Sequence, residues 1–414
     1  MRAEDAERYV LARELFGMRF GLDRMRRMMT ALEHPEQRFE SIHVVGTNGK
    51  SSTVRMIAAI LERHGVRTGA FLSPHLVSYG ERIRIQETDL DPRAFAAAVA
   101  RVIRAAELVD RSLGAGEQVT QFELLTAAAY SEMAAQGVEV AVVEAGLGGR
   151  YDATNVIPSR VQVLTGVGLE HTRWLGPTIR DIASEKLDVV KPQGTLVLGH
   201  GLHPDAFEVA ETVAAERGAR IVRASADPGV ALGAPGLFQR RNFALARAAA
   251  GAYLGQLDEP AVARAAAEVR VPGRLQVIAQ DPVTIVDSAH NPDGIAALVQ
   301  SLPEAAGPGA KRLVAVLSIL DDKDAAGMLA GLLAVCQAVV FTSSQNPRAL
   351  PPPTLQSLAR QLDGPPAEIV PDPQAALERA RQLAGPSGSV VAAGSIYLVA
   401  DLLRPESFRR VSTL

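Results

Sequence analysis

The run Gly46-Thr47-Asn48-Gly49-Lys50-Ser51-Ser52 joins a candidate strand to a candidate helix. Strand, glycine loop, lysine, hydroxyls, helix is the order of a nucleoside triphosphate cradle. Backbone N–H groups of the loop, Thr47 to Gly49, and of the helix N-terminus can point at phosphate oxygens. Lys50 can neutralise charge on the β- and γ-phosphates, and Ser51 or Ser52 can ligate Mg²⁺. The standard pattern asks for a further glycine at position 44, where this chain has Val44. The placement between strand and helix favours the cradle over a plain glycine turn. A guanine reader of the switch class would carry Asn-Lys-x-Asp, and the sequence has no such run.

Glu144 closes an apolar segment and precedes Ala145-Gly146-Leu147-Gly148-Gly149-Arg150-Tyr151-Asp152. Open α/β sheets bind ligands outside the carboxyl ends of their strands. A carboxylate there is a natural Mg²⁺ ligand, and the glycines allow close backbone approach. By itself Glu144 is equally well a solvated strand-end glutamate; the glycine run tips it towards function. A lone histidine is more often structural than a ligand, but Glu170-His171 follows a second strand end beside a candidate metal carboxylate, which favours His171 as a metal ligand. Lys186, after Ser184-Glu185, reads on residue type as an exposed helical lysine paired to an acid. The sharper alternative is an amine that has captured CO₂. Its carbamate would be an anionic oxygen ligand that arginine cannot supply.

Arginine is the default base in this chain. Lysine appears only at Lys50, Lys186, Lys191, Lys311 and Lys323, among 43 basic residues. That usage suits positions where a primary amine is needed.

The elements that position these groups follow from hydrophobic period. Ser41–Val45 reads as a buried strand, and the helix from about Lys50 carries Val54, Ile57, Ala58 and Leu61 on one face. Val138–Glu144, Val161–Thr165 and Thr195–Leu198 read as further strands with helices between them. This alternation predicts a mostly parallel sheet covered by helices on both faces. It restarts after Pro272-Gly273, with strands expected at Val283–Val286, Leu313–Leu317, Ala338–Phe341, Glu368–Val370 and Val390–Ala393. The expected division is residues 1–272, an ATP-binding domain, and 273–414, a smaller Rossmann-like α/β domain.

Length and charge agree with this reading. At 414 residues two domains are expected. A net charge of −3 gives no reason to expect nucleic acid or an anionic membrane as partner. No apolar run is long enough to span a bilayer. The charged start Met1–Arg8 predicts no signal peptide, and the lone Cys336 permits no internal disulfide. A cytoplasmic monomer is expected.

Together these residues resemble the Mur ligase superfamily, and within it the bacterial folylpolyglutamate synthase/dihydrofolate synthase family. The resemblance rests on the phosphate loop, Ser73-Pro74-His75-Leu76, Glu81-Arg82-Ile83 and Thr120-Gln121-Phe122-Glu123. It continues through Glu144–Asn155, His171 with Leu175-Gly176, and Glu185-Lys186. In the second domain it includes Asp287-Ser288-Ala289-His290-Asn291-Pro292 and Gly394-Ser395-Ile396-Tyr397-Leu398. It runs in order from about Gly21 to Leu398, nearly the whole chain. The family usually has glycine after the loop lysine, where this chain has Ser51, and aspartate where it has Glu170.

The resemblance implies an α/β ligase that uses ATP and two Mg²⁺ ions; a monovalent cation is left open. Lys50 would hold the phosphates. Ser73 and Glu144 would bind one Mg²⁺; Glu144, His171 and a carbamylated Lys186 would bind the other. Asn242, Arg274, Asp287 and His290 would meet ATP from the second-domain side of a cleft that closes against water. The pterin-bearing substrate would lie against Phe20, Gly21, Arg82, Thr120, Phe122, Asp152 and Ala153. Ser395, with His290 and Asp322-Lys323-Asp324, would be a candidate for the L-glutamate site. The expected reaction adds L-glutamate to reduced folates through an acyl phosphate; the pterin-site residues Phe122 and Asp152-Ala153 resemble those of members that also use dihydropteroate, the alternative being a folylpolyglutamate synthase only. A cell-wall Mur ligase would need a uridine-nucleotide domain before the loop, and only about 45 residues precede it. A non-catalytic switch would not need Glu144, His171 and Lys186 together.

Overall fold

The computed structural model describes residues 1–13, 21–307 and 312–404. Met1–Gly233 with Gln239–Val269 form one compact unit, and Ala234–Phe238 with the chain from Arg270 onward form another.

The first unit holds an eight-stranded sheet. Its strands are β1 (Glu40–Val45), β2 (Thr68–Phe71), β3 (Ile83–Ile85), β4 (Thr88–Asp89), β5 (Val140–Glu144), β6 (Val161–Leu164), β7 (Thr195–Leu198) and β8 (Arg220–Arg223). Their order is β4-β3-β2-β5-β1-β6-β7-β8, parallel from β2 to β8, with β3 and β4 antiparallel at one edge. Helices cover the central strands, so these read as continuous apolar runs, with β1 buried from Ser41 onward and β5 throughout. The helix Lys50–Arg63 is buried at every residue from Ser52 to Leu61.

Register brings the chemistry together. Val44 lies beside Glu144, Val45 beside Leu164, and Phe71 beside Val143. The loops that leave β1, β2, β5 and β6 at their carboxyl ends are therefore neighbours, which is where ligands of such sheets bind.

The second unit carries β9 (Gln276–Gln280), β10 (Val283–Val286), β11 (Leu313–Leu317), β12 (Ala338–Phe341), β13 (Ala367–Ile369) and β14 (Ser389–Ala393). Their order is β13-β12-β11-β14-β10-β9, with β9 antiparallel. Its core gathers Ile285, Leu317, Phe341 and Val391 with helix residues such as Leu298 and Leu329. Cys336 belongs to this core, and burial pushes its thiol up to about 12.

The predicted strands are present with small shifts. β5 starts at Val140 because Val138 N–H is still closing the preceding helix on Met133 O. The spacing does not pick out β2, β3, β4, β8 or β9. β2 is four residues with a glycine, and β3 and β4 are short and half polar. Arginine stands at both ends of β8, and glutamine at both ends of β9. Of these, β4, β8 and β9 are edge strands, which need no apolar alternation to be hydrogen-bonded in place.

Candidate active site

The phosphate loop leaves β1 and is held by the loop after β6. Thr47 N–H donates to Gly166 O at 2.9 Å, and the Thr47 hydroxyl is bonded to both Gly168 N and Gly168 O. Thr165 Oγ1 donates to Asn48 O at 2.6 Å. Sequence reasoning missed Thr165; its position directly after an apolar strand is the signal that could have found it. Gly49 has φ +84°, and a Cβ there would stand 2.6 Å from Asn242 Oδ1. Only glycine fits both the left-handed backbone and that neighbour. Lys50 Nζ donates to Thr47 O at 3.2 Å, so the amine folds over the loop it follows.

Glu144 is buried at the carboxyl end of β5. Its Oε1 accepts from Ser51 Oγ at 2.9 Å, and its Oε2 accepts from Ser73 N–H at 3.1 Å. The hydroxyl that faces the buried carboxylate is therefore that of Ser51; Ser52 is buried within the helix. Glu81 ties down the loop that carries Ser73, accepting from the N–H groups of Leu76, Val77 and Ser78.

Lys186 reverses the reading from residue type: it is 5% exposed, not a surface lysine. Its Nζ donates to Gly46 O at 2.9 Å. Burial, and after it the charge of Lys50, lowers its pKa to about 7, against the pull of Glu170 and Asp152. Its helix, Ile179–Leu187, is anchored from the glycine run: Arg150 N–H donates to Glu185 O at 2.9 Å, and Arg150 pairs with the Glu185 carboxylate. His171 is exposed at φ +53°, with Nε2 3.9 Å from Glu170 Oε1. Among the described residues, no three His, Cys, Asp or Glu side chains stand close enough to hold a metal alone. Mg²⁺ typically uses one or two protein carboxylates and takes its other oxygens from phosphates and water. One buried carboxylate beside Ser51, Ser73 and a phosphate loop fits that habit.

The glycine run forms the next wall. A Cβ on Gly146 would stand 2.6 Å from Phe122 Cζ, so the ring lies directly on the backbone. Phe122 also packs on Phe71, with ring centroids 5.8 Å apart. Asp152 is buried, which raises its pKa, while bonds from the Leu147 and Thr154 N–H groups and the Thr154 hydroxyl oppose that shift. Ala153 follows it, also buried. Thr120 caps the helix Gln121–Ala135 by a reciprocal capping box with Glu123, and Glu123 pairs with the buried Arg24 at 3.0 Å. Arg82 is buried and donates to His75 Nδ1 at 2.9 Å. Gly21 is described, and a Cβ there would meet no described residue within 4 Å; Phe20 lies outside the described residues.

Asn242 corrects one expectation. It lies on the helix Leu237–Leu254, in the part of the chain that belongs to the first unit, and it abuts Gly49 of the phosphate loop. The chain returns to the first unit for Gln239–Val269, which sequence order does not reveal.

The second unit has its own polar cluster. Buried Asp287 accepts from Leu275 N–H at 2.7 Å and Ala289 N–H at 2.8 Å. Burial raises its pKa, against the charges of Arg274 and His290 nearby. His290 Nδ1 is 3.0 Å from Ser288 O. Ser395 caps the helix Ile396–Leu403, accepting from Tyr397 N–H. Lys323 pairs with Asp322 at 3.6 Å.

Residues 273–396 match the family described as Mur ligase, glutamate ligase domain. The dihydrofolate synthase/folylpolyglutamate synthase of Mycobacterium tuberculosis is 36% identical over 384 residues, spanning 83% of this chain and 78% of the relative. The protein of the same name from Bacillus subtilis is 30% identical over 434 residues, spanning 96% and 98%. Among solved structures, Mycobacterium tuberculosis folylpolyglutamate synthase complexed with ADP and AMPPCP superposes with a TM-score of 0.90 at 32% identity, covering 99% of this chain and 98% of that one. E. coli FolC in complex with DHPP and ADP superposes with a TM-score of 0.85 at 28% identity, covering 97% of each chain.

Proposed function

Because this chain belongs to the dihydrofolate synthase/folylpolyglutamate synthase family, with a Mur ligase glutamate ligase domain, we propose that it joins L-glutamate to reduced folates and to dihydropteroate at the expense of ATP. The observation that carries the reading is Glu144. It is one buried carboxylate that meets Ser51 beside the phosphate-loop lysine and Ser73 from the neighbouring strand end. That is the convergence a phosphoryl transfer to a substrate carboxylate requires.

In the reaction, a substrate carboxylate oxygen attacks the γ-phosphorus of ATP. The bond to the β–γ bridging oxygen breaks, ADP leaves, and an acyl phosphate forms. The neutral amine of L-glutamate then attacks the acyl carbon, the tetrahedral intermediate expels phosphate, and the ammonium so formed loses a proton. Lys50 and the N–H groups of the loop bind the triphosphate and offset its charge. Glu144 with Ser73, and Glu144 with His171 and a carbamylated Lys186, would hold two Mg²⁺ ions, which would supply positive charge to offset that of the phosphates. Ser51 orients the Glu144 carboxylate. Phe122, Asp152, Ala153, Thr120, Arg82 and Gly21 are proposed for the pterin-bearing substrate. Asn242 is proposed for the nucleotide from the loop side, and Arg274, Asp287 and His290 are the nucleotide contacts proposed in the second unit. Ser395 is proposed for L-glutamate.

Purified protein given ATP, labelled L-glutamate and either dihydropteroate or a reduced folate should form a labelled product and ADP in equal amounts. No dihydrofolate from dihydropteroate would remove the synthase half of the reading. No product from either acceptor would remove all of it.

A further inference from the structure

Four arginines are buried among the described residues: Arg13, Arg24, Arg55 and Arg82. Three have partners. Arg13 pairs with Asp110, Arg24 with Glu123, and Arg82 donates to His75. Arg55 is 9% exposed, and its guanidinium makes no hydrogen bond or ion pair with any described residue.

The carboxylates nearest in effect are already committed. Asp89, Glu81 and Glu144 act on Arg55 only through space. Asp89 is held by Arg84 at 2.6 Å, Glu81 by three backbone N–H groups, and Glu144 by Ser51 and Ser73. Burial, and after it the charge of Arg84, lowers the Arg55 pKa to about 10, so it remains a cation at neutral pH. A buried charge with no partner is among the costliest arrangements in a folded chain. A guanidinium does not escape it by losing its proton at physiological pH. Its nitrogens are not among the fully enclosed polar atoms that lack a partner, so they open to solvent and an anion from outside can pair with them.

The position of Arg55 selects between the anions that a ligase of this kind brings to the site. The triphosphate belongs at the N-terminus of helix Lys50–Arg63, over Lys50. Arg55 stands four residues beyond Ser51 on the same helix face. It is thus about one turn, roughly 5.4 Å, deeper along the axis. A helical side chain leans back towards the preceding turn, and the charges that act on Arg55 are, largest first, those of Arg84 and Asp89 on β3 and β4, of Glu81, which ties down the loop carrying Ser73, and of Glu144. One turn is comparable with the span between the two carboxylates of a glutamate. A folate carries both, one that reacts and one that does not. Dihydropteroate carries a single carboxylate, which must react.

We propose that Arg55 binds the non-reacting carboxylate of the folate's glutamyl group, and so sets the preference for glutamylated folates over dihydropteroate. This inference rests on the proposed ligase function. A fork of N–H donors suits a carboxylate.

The test uses the full chain with R55M and R55K. In R55M the KM for a reduced folate should rise about tenfold or more, the loss typical of a charge-assisted bond. The KM values for ATP and dihydropteroate should stay within about twofold, a change too small for a lost ionic contact. Without ligands, R55M should melt at or above the wild-type temperature, since an unpaired buried charge is gone. R55K, which keeps charge without the fork, should fall between. A folate whose spectator carboxylate is an amide should show the same loss with wild type and no further loss with R55M. A raised KM for ATP, an equal rise for both acceptors, or a change confined to melting temperature would each overturn the assignment. If wild type turns over neither acceptor, the ligase reading falls with it. If wild type uses reduced folate only, the amidated folate decides Arg55 by itself.

Discussion

Lys186 Nζ donates to the carbonyl oxygen of Gly46 at 2.9 Å, tying the helix Ile179–Leu187 to the first residue of the phosphate loop. The bond holds the amine beside Lys50, the charge that, after burial, does most to favour its neutral form. A neutral amine is the form that captures CO₂. K186R keeps a cation but cannot make that carbamate. Its kcat/KM should fall roughly 100-fold, the upper range for losing support at a metal site. Wild type incubated with ¹³C-bicarbonate should show a carbamate carbon by NMR that K186R lacks. A K186R enzyme with wild-type turnover would exclude the role.

Ser51 should matter more than Ser52. S51A removes the hydroxyl that orients Glu144. A hydrogen bond to a charged group contributes about 1.5–3 kcal/mol, so kcat/KM should drop about tenfold or more. S52A removes a buried helix hydroxyl that does not reach Glu144 and should cost less in turnover. Steady-state kinetics of the two variants compare them directly, and a larger effect at Ser52 would reverse their order.

G49A should weaken nucleotide binding. The new methyl would meet Asn242 Oδ1, and the left-handed backbone would be strained in any case. The double variant G49A/N242A should recover part of the loss at most, because trimming Asn242 relieves the collision but leaves the backbone cost and removes the nucleotide contact proposed for Asn242. Calorimetric titration with an ATP analogue measures both. Full recovery would mean that neither backbone strain nor the Asn242 contact contributes.

His43 should stay neutral in acid. It is buried, its Nε2 lies 2.8 Å from Thr154 Oγ1, and burial lowers its pKa to about 3 from an ordinary 6.5. The unfolded chain takes the proton first, so stability from this residue is fully present above pH 6.5. It is lost as pH falls from 6.5 towards about 3. Histidine NMR should show His43 neutral at pH 5. H43Q should flatten the acid side of the denaturation profile in that window. An imidazolium signal for His43 at pH 5 would contradict this.

Much of the candidate site was legible because its groups follow strands. Lys50, Glu144 and His171 each come after an apolar run, and a parallel sheet places such positions at one edge. Ser73 and Arg82 were reached only through the family resemblance, since β2 and β3 are too short and polar to show a period. Lys186 was ambiguous because helical spacing does not report burial by a loop 140 residues earlier in sequence.

The sequence by itself determined the phosphate loop, the α/β alternation and the residue types available for the chemistry, since these depend on local order and on hydrophobic period. Only the tertiary structure decided that Ser51 faces Glu144, that Asn242 abuts Gly49, and that Arg55 is buried without a partner among the described residues. Ser51 and Glu144 are 93 residues apart in the chain. Crossovers of a parallel sheet bring such residues together, and neither propensity nor spacing encodes which side chain meets which.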